Sequence, residues 1–354
     1  MQLSHSIVLN KQTSIPNMVK HPPYHLRTNK AVDRLILVKQ IKAAIAAEVG
    51  LISTSTYHSL GGPFMEDLNL IHRDIPKIPL ICIESNEQTH LRQKNHVFSK
   101  NLKLINETIE DFLIHTYQPI TPDIFWLDFT DFDLKCLQAA QNLLSKLLPG
   151  SLLRITVAAQ NPLGRFDLPN EIEDTTKEEI RASRLASFKK KFEAYLPQNF
   201  IPTESTNSQK SFNLVIQKII QTAISESLDK SGDREFLHIQ SCHYNDGTPM
   251  LSVTGLISER SKLKITEKKL NKSGLNIDKN WVAIDEVNLP FLSLQERLIL
   301  NKVLPHADNP ALVGEVLQAT LNYHIDDSER KSIAALSQYA EYRHEYPTFV
   351  RFNV

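Results

Sequence analysis

A glycine turn near residue 60 contains the residues best suited to bind a small ligand. A predicted strand ends near Tyr57, and the turn that follows it contains Gly61, Gly62 and Pro63. Glycine tolerates positive φ and lets a ligand come close to the backbone, while proline suits the first turn of a helix. Helix N-termini attract polar or anionic groups, so Ser59, Gly61 and Gly62 are candidate binding residues. An ordinary surface turn has the same composition.

Two carboxylates stand where apolar runs end. Glu84 follows the run 80–83, and Asp128 follows the run 124–127. Runs that are apolar throughout are typical of strands in a parallel sheet, and ligands bind beyond the carboxyl ends of such strands. Glu84 lies about twenty residues after the glycine turn, which is the spacing of a ribose-binding acid. Either carboxylate could instead only favour the start of the next helix.

The elements that must position these residues alternate along the chain. Short apolar runs separate amphipathic helical patterns, which predicts right-handed crossovers and a parallel sheet. Asp246 and Gly247 lie between two further apolar runs, at 236–244 and 249–256, and this arrangement predicts an antiparallel hairpin. The predicted fold class is therefore α/β, with a mostly parallel Rossmann-like sheet, a terminal hairpin and a helical C-terminal extension.

The composition narrows the class of protein. Hydrophobic residues make up 41% of the 354 residues, which is enough for a core. The 40 Lys and Arg residues balance 40 Asp and Glu residues, so any nucleic-acid binding must come from a local patch. Cys82, Cys136 and Cys242 lie far apart, and their spacing predicts no metal site. Few cysteines, no signal peptide and no long apolar span predict a cytoplasmic protein that does not enter a membrane.

Three segments of the chain differ in pattern. The first is irregular and contains several prolines, so it is predicted to form an arm. The second carries the alternating pattern and begins with a helix that Thr28 or Asn29 would cap. The third is mainly helical and begins with the basic stretch Lys262–Lys272, which predicts an accessory region for a protein partner and is too short to favour nucleic acid. The predicted boundaries are 1–29, 30–260 and 261–354.

The segment 30–260 resembles the S-adenosylmethionine-dependent methyltransferases of the Rossmann-like class. The glycine turn, Glu84 after the second strand and Asp128 after the fourth carry the resemblance. The hairpin at 236–256 is the most specific feature, since a dinucleotide dehydrogenase has no need of it. The Gly-Gly-Pro turn is also similar to that of the three-Cys-motif partner proteins. The resemblance implies S-adenosylmethionine as the cofactor.

The resemblance also implies roles for individual residues. Glu84 would bind the ribose hydroxyls, and Glu107, after the third strand, would contact the adenine. Asp128 would lie beside the methyl group and the acceptor, and His58 is a candidate base for the acceptor's proton. The sequence at 128–131 replaces the Asp/Asn-Pro-Pro-aromatic motif of amino-methylating DNA enzymes, which disfavours methylation of a base nitrogen.

Three functions fit these features. The first is a methyltransferase of unknown acceptor, with an O-directed reaction left open. The second is a non-catalytic protein that binds the cofactor or a nucleotide within a bacterial multi-protein system, for instance an antiviral one. The third is an NAD(P) oxidoreductase, which is disfavoured because the chain lacks the G-x-G-x-x-G motif and has the terminal hairpin.

Overall fold

The computed structural model describes most of the chain. The described residues are 27–161, 177–197, 200, 208–229, 232–304 and 312–347. The predicted arm at 1–29 lies outside them, except for its last three residues. No helix among the described residues is both long enough and apolar enough to cross a membrane.

One eight-stranded sheet organises the fold, in the order β3-β2-β1-β4-β5-β7-β6-β8. The first five strands in this order are parallel, β7 is antiparallel to both β5 and β6, and β8 is parallel to β6. The predicted parallel sheet with a terminal hairpin is confirmed. The strands are β1 (Tyr57–Leu60), β2 (Leu80–Ile83), β3 (Leu102–Ile105), β4 (Ile124–Asp128), β5 (Leu152–Ala158), β6 (Arg234–Asn245), β7 (Pro249–Glu259) and β8 (Asp285–Val287).

Helices cover both faces of the sheet. Apolar side chains of α1, α2 and α8 pack on one face, and those of α4, α5 and α7 pack on the other. The described helices are α1 (Thr28–Ala46), α2 (Glu66–Asp74), α3 (Glu87–Lys94), α4 (Ile109–Asp111, continued by the π-helical turn Phe112–Thr116), α5 (Leu134–Lys146), α6 (Lys177–Phe192), α7 (Gln209–Asp229), α8 (Leu263–Lys272), α9 (Leu294–Val303), α10 (Val313–Leu321) and α11 (Glu329–Glu341).

The first helix is capped from a distant part of the chain. The prediction that Thr28 or Asn29 caps α1 is wrong, because both lie inside the helix and its N-cap, Arg27, makes no side-chain capping bond. Asp246 in the β6–β7 turn instead accepts hydrogen bonds from the backbone N–H groups of Asn29 (3.3 Å) and Lys30 (2.7 Å). The sequence could not show this cap because more than 200 residues separate the partners.

The region after residue 260 contacts the sheet at several places. Leu270 of α8 is fully buried in the core on the α1 face, and β8 extends the sheet beyond β6. The predicted strand or extended segment at 281–284 precedes β8, which begins at Asp285. Trp281 has a left-handed φ of 53° and stacks on His238, with ring centroids 4.1 Å apart. The boundary at 260 stays a prediction.

A buried ion pair joins α1 to the centre of the sheet. The Arg154 guanidinium on β5 donates a hydrogen bond to the Asp33 carboxylate on α1, and both side chains are 1% exposed or less. Arg154 also donates to Thr254 on β7 at 2.7 Å and to Gln40 on α1 at 3.3 Å. These bonds satisfy a charge that would otherwise be costly to bury, and they fix the rotation of α1 on the sheet.

Replacement of Asp33 by alanine should lower the free energy of unfolding by about 3–5 kcal/mol, because Arg154 would stay buried without its carboxylate. Urea denaturation measures the change. The double variant Asp33→Leu/Arg154→Met removes both charges and should recover most of the lost stability. Equal losses in the single and double variants would show that the ion pair is not what holds α1 on the sheet.

Candidate functional site

A cavity of about 800 Å³ opens at the carboxyl ends of β1, β2, β3 and β4. β1 pairs with β2 on one side and β4 on the other, so the chain reverses its direction of strand addition at this point. Such a switch point is where open α/β sheets bind ligands. The residues that line the cavity include Gly61, Gly62, Glu84, Glu107 and Asp128, all of them predicted from the sequence, together with Arg27, Lys30, Arg34, Asp67, Glu110, Lys135, Tyr244 and Asp246.

The two glycines of the turn have different roles. A Cβ added to Gly61 would lie 2.3 Å from the Cys82 Sγ, whereas one added to Gly62 would meet nothing within 4 Å. Gly61 is therefore required by packing against β2, and Gly62 leaves open space beside the cavity. Gln93 on α3 holds the turn by donating to the Gly61 carbonyl at 2.6 Å and to the Gly62 carbonyl at 3.2 Å.

Two details of the predicted turn are wrong. Neither Gly61 nor Gly62 has a positive φ; the left-handed residue is Met65, with φ 49°. Pro63 does not lie in the first turn of the helix, because α2 begins at Glu66 and Met65 is its N-cap. The chain therefore makes one more turn before the helix, closed by a hydrogen bond from the Met65 N–H to the Gly62 carbonyl at 3.2 Å.

Ser59 does not line the cavity, although it was a predicted binding residue. It is 2% exposed, and its hydroxyl donates to Asp67 in the first turn of α2. The Tyr57 hydroxyl donates to the same carboxylate oxygen at 2.9 Å. Burial, and then Asp67, raise the pKa of Tyr57 well above its usual value, so Tyr57 stays a donor. Ser59 and Tyr57 thus hold Asp67, which itself faces the cavity.

Glu84 and Glu107 both lie at the cavity, after β2 and β3 respectively. Glu84 Oε1 accepts a hydrogen bond from the Asn86 N–H at 2.8 Å, and the Asn106 side chain donates to the Glu84 carbonyl at 2.7 Å. Glu107 accepts from the Thr116 hydroxyl at 2.9 Å. These bonds fix the two loops that carry the carboxylates, so the acids are placed before any ligand arrives.

At the other end of the cavity, Asp128 forms an ion pair with Lys30. Lys30 Nζ donates to Asp128 Oδ1 at 2.7 Å, to Oδ2 at 2.8 Å and to the Tyr244 hydroxyl at 2.9 Å. It also lies 4.6 Å from the centre of the Trp126 ring. Burial lowers the pKa of Lys30, against the nearby carboxylates of Asp128 and Asp33, which raise it. A lysine whose pKa is lowered can accept a proton at a lower pH than an exposed one.

His58 is not brought to the cavity, so its assignment as a base is corrected. It is 3% exposed and points to the opposite face of β1 from Tyr57 and Ser59. Its ring stacks on Phe125 at 4.1 Å, and its Nε2 lies 3.7 Å from the Asp123 carboxylate. Burial lowers the pKa of His58, against Asp123, which raises it. His58 is a core histidine because side chains alternate between faces along a strand.

The sequence did not reveal the part played by Lys30, Tyr244 or Asp67. Lys30, Asp33 and Arg34 occupy helical positions i, i+3 and i+4, which are equally typical of a solvated face. In the structure all three are buried. The one signal available was the position of Tyr244 beside the hairpin turn, but only the pairing of β6 with β7 shows where that turn lies.

Charge is distributed unevenly around the cavity. The basic residues that line it come from the start of α1 and from α5: Arg27, Lys30, Arg34 and Lys135. Carboxylates predominate in the lining around the glycine turn and after β2 and β3: Glu66, Asp67, Glu84, Glu107 and Glu110. The cavity thus has an acidic end below β1–β3 and a mixed end between α1, the hairpin and β4.

Comparison with solved structures finds methyltransferases at low similarity. One is the plantazolicin methyltransferase BamL in complex with a triazolic desmethylPZN analog and SAH, at 15% identity and a TM-score of 0.34, covering 65% of this chain and 86% of that one. Another, from Klebsiella pneumoniae, is titled a "putative O-methyltransferase"; it has 11% identity and a TM-score of 0.36, covering 67% and 84%. No curated protein matches the chain.

A family model covers nearly the whole sequence. The family is described as "Putative O-methyltransferase", and its model matches residues 22–354. The match includes α1, the sheet and the helices after β8, so it spans both ends of the cavity. The predicted membership of the S-adenosylmethionine-dependent methyltransferases is confirmed. The chain belongs to this family and is an S-adenosylmethionine-dependent O-methyltransferase whose acceptor the family description leaves open.

Proposed function

We propose that the cavity binds S-adenosylmethionine with its nucleoside at the acidic end and its methyl group beside Asp128. The observation that carries this proposal is that Gly62, Glu84, Glu107 and Asp128 line one cavity at the switch point of the sheet. The open space at Gly62 allows a ligand to approach the backbone, and Glu84 and Glu107 are acceptors suited to hydroxyl and amino groups. The acidic lining also suits a cofactor that carries positive charge.

Lys30 is the proposed base for the acceptor hydroxyl. The cofactor, when bound, supplies a methyl group on a positively charged sulfur that is already a good leaving group. The remaining task is to align the acceptor and remove its proton. Neutral Lys30 Nζ would take that proton, and Asp128 and the Tyr244 hydroxyl, both within 2.9 Å, would hold the resulting ammonium. Asp128 therefore keeps its predicted place in catalysis, now as the partner of Lys30.

Lys30, Asp128 and Tyr244 also argue against the alternative of a protein that binds the cofactor without catalysing a reaction. A protein that only senses the cofactor has no use for a buried lysine at the acceptor end. Lys30 is 4% exposed, and burying its charge costs free energy that Asp128 only partly offsets. Retention of such a group at the mouth of a binding cavity is typical of catalytic sites.

Gly62→Val should weaken cofactor binding and leave the fold intact. The new side chain enters open space and meets no protein atom at its Cβ, so the melting temperature should not change. Calorimetry with S-adenosylhomocysteine should show affinity reduced roughly tenfold or more, equivalent to 1.4 kcal/mol. Gly61→Ala is the matched contrast, because its Cβ would clash with Cys82 and should lower the melting temperature. Unchanged affinity in Gly62→Val would mean that the cofactor binds elsewhere.

Glu84→Ala should weaken cofactor binding by about 1–3 kcal/mol, the cost of leaving polar groups unpaired. Glu87→Ala serves as the control, since Glu87 is an exposed acid on the same segment and does not line the cavity. Calorimetry of both variants separates the loss of a contact with the cofactor from the general effect of removing an acidic side chain from this segment. If both variants bound the cofactor as the wild type does, and only Glu84→Ala melted earlier, Glu84 would have a structural role.

The rate of methyl transfer should rise with pH through an apparent pKa below 10.5, the usual value for lysine. Burial lowers the Lys30 pKa, Asp128 and Asp33 raise it, and Arg34 lowers it; Tyr244 also contacts the amine. Because the base is the neutral amine, activity is lost as pH falls. Asp128→Asn removes one of the raising charges and should move the midpoint to lower pH. It should also reduce kcat by about 10²-fold or more, with cofactor affinity retained.

Lys30→Arg completes this test, because arginine stays protonated and cannot act as a base. It should be inactive across the whole pH range while it still binds the cofactor. A Lys30→Arg variant with the wild-type pH profile would remove Lys30 from the mechanism, and full activity in Asp128→Asn would remove Asp128.

A further inference from the structure

We infer that the acceptor is RNA, methylated on a ribose 2′-hydroxyl and held by the basic helix α6 beside the cavity. This inference rests on the proposed function, because it names the substrate class of the same site. It begins from a local excess of positive charge on a chain whose total charge is zero. Residues 180–192 contain five basic side chains and no Asp or Glu: Arg181, Arg184, Lys189, Lys190 and Lys191.

The position of α6 is fixed by its apolar side. Phe188 and Phe192 belong to the core cluster that also contains apolar side chains of α5 and α7, and the Phe188 ring lies 5.4 Å from the Phe212 ring on α7. Arg181 and the three lysines from 189 to 191 are exposed. A helix that buries its aromatic residues and exposes a run of cations presents a positive surface to solvent. Attraction to the helix dipole explains only cations in the last turn, so it does not account for Arg181.

The basic end of α6 joins the rim of the cavity. The Phe192 ring stacks on Phe132, with centroids 4.6 Å apart, and Lys191 Nζ donates to the Phe132 carbonyl at 3.4 Å. Phe132 lies between Asp131 and Asp133, both of which line the cavity, and the exposed Lys135 lines it from the same loop and helix. The basic end of α6 therefore meets a rim that carries Lys135 together with the carboxylates of Asp131 and Asp133.

The second basic segment of the chain lies at the other end of the sheet. Helix α8 carries Lys264, Lys268, Lys269 and Lys272, and it packs beside the end of β7, where Thr266 accepts from the Ser258 hydroxyl at 3.1 Å. That end of β7 pairs with the start of β5, whereas the cavity lies at the ends of the parallel strands. The lysines of α8 are thus too far from the reacting atoms to guide an acceptor.

The reaction of the family indicates which negatively charged polymer could be the methyl acceptor. An O-methyltransferase transfers its methyl group to an oxygen atom, and among nucleic acids the internal sugars of RNA have a 2′-hydroxyl that those of DNA lack. The 2′-oxygen would form the new O–C bond while the S–C bond of the cofactor breaks, with its electron pair left on sulfur. The hydroxyl proton would pass to Lys30 Nζ and then to solvent, so the products are the 2′-O-methyl ribose and S-adenosylhomocysteine.

The test compares two charge reversals of equal size. Fluorescence anisotropy with a short, mixed-sequence, single-stranded RNA should show binding that weakens as salt increases. Lys189→Glu/Lys190→Glu should weaken this binding roughly tenfold or more, whereas Lys268→Glu/Lys269→Glu on α8 should leave it near the wild-type value. Tritiated methyl groups from the cofactor should appear in the RNA but not in the matched DNA oligonucleotide.

Several results would overturn the inference. These are absence of RNA binding, equal losses in both double variants, or methyl groups found in an acidic protein or a lipid and not in RNA. Calorimetry of the cofactor keeps this test separate from the proposed function. If the wild type binds S-adenosylhomocysteine but neither binds nor methylates RNA, only the RNA inference fails. If it binds no cofactor, the proposed function fails as well.

Discussion

The buried charges on α1 are the constraint on which the rest of the structure depends. Asp33 and Lys30 lie on the face of a helix that packs against the sheet, where an unpaired charge would cost several kcal/mol. Each has its partner on a different strand: Arg154 on β5 and Asp128 on β4. Because both ion pairs must form together, they fix the rotation of α1 about its own axis and the position of α1 along the sheet.

The position of α1 affects both the stability of the fold and the geometry of the cavity. The residue that fixes α1, Asp33, lies one helical turn from Lys30 at the cavity, and the hairpin residue Asp246 holds the backbone of that same turn. Tyr244, on the strand that leads into the hairpin, contacts Lys30 Nζ. The proposed acceptor end of the cavity is thus built from the start of the described chain and from a hairpin more than 200 residues later. The proposed cofactor end is built locally, from the loops after β1, β2 and β3.

The glycine turn shows how packing and ligand binding divide between adjacent residues. Gly61 is small because Cys82 on the neighbouring strand occupies the space where its side chain would be. Among the described residues, none lies within 4 Å of a Cβ placed on Gly62, and this open space is the one that the proposed cofactor would use. Ser59 and Tyr57 support the turn from within by holding Asp67, while Gln93 holds its carbonyl groups.

The sequence by itself determined the parallel sheet, the hairpin at Asp246–Gly247 and the placement of Glu84, Glu107 and Asp128 at one edge. These follow from local patterns, since continuous apolar runs specify buried strands and parallel strands end at one edge. Only the tertiary structure decided that His58 faces the core, that the Ser59 hydroxyl donates a hydrogen bond to Asp67, and that Lys30 belongs to the site. The first two depend on which face of β1 each side chain takes. The third depends on burial, because a lysine at the start of an amphipathic helix has the same sequence pattern whether it meets water or a carboxylate on another strand.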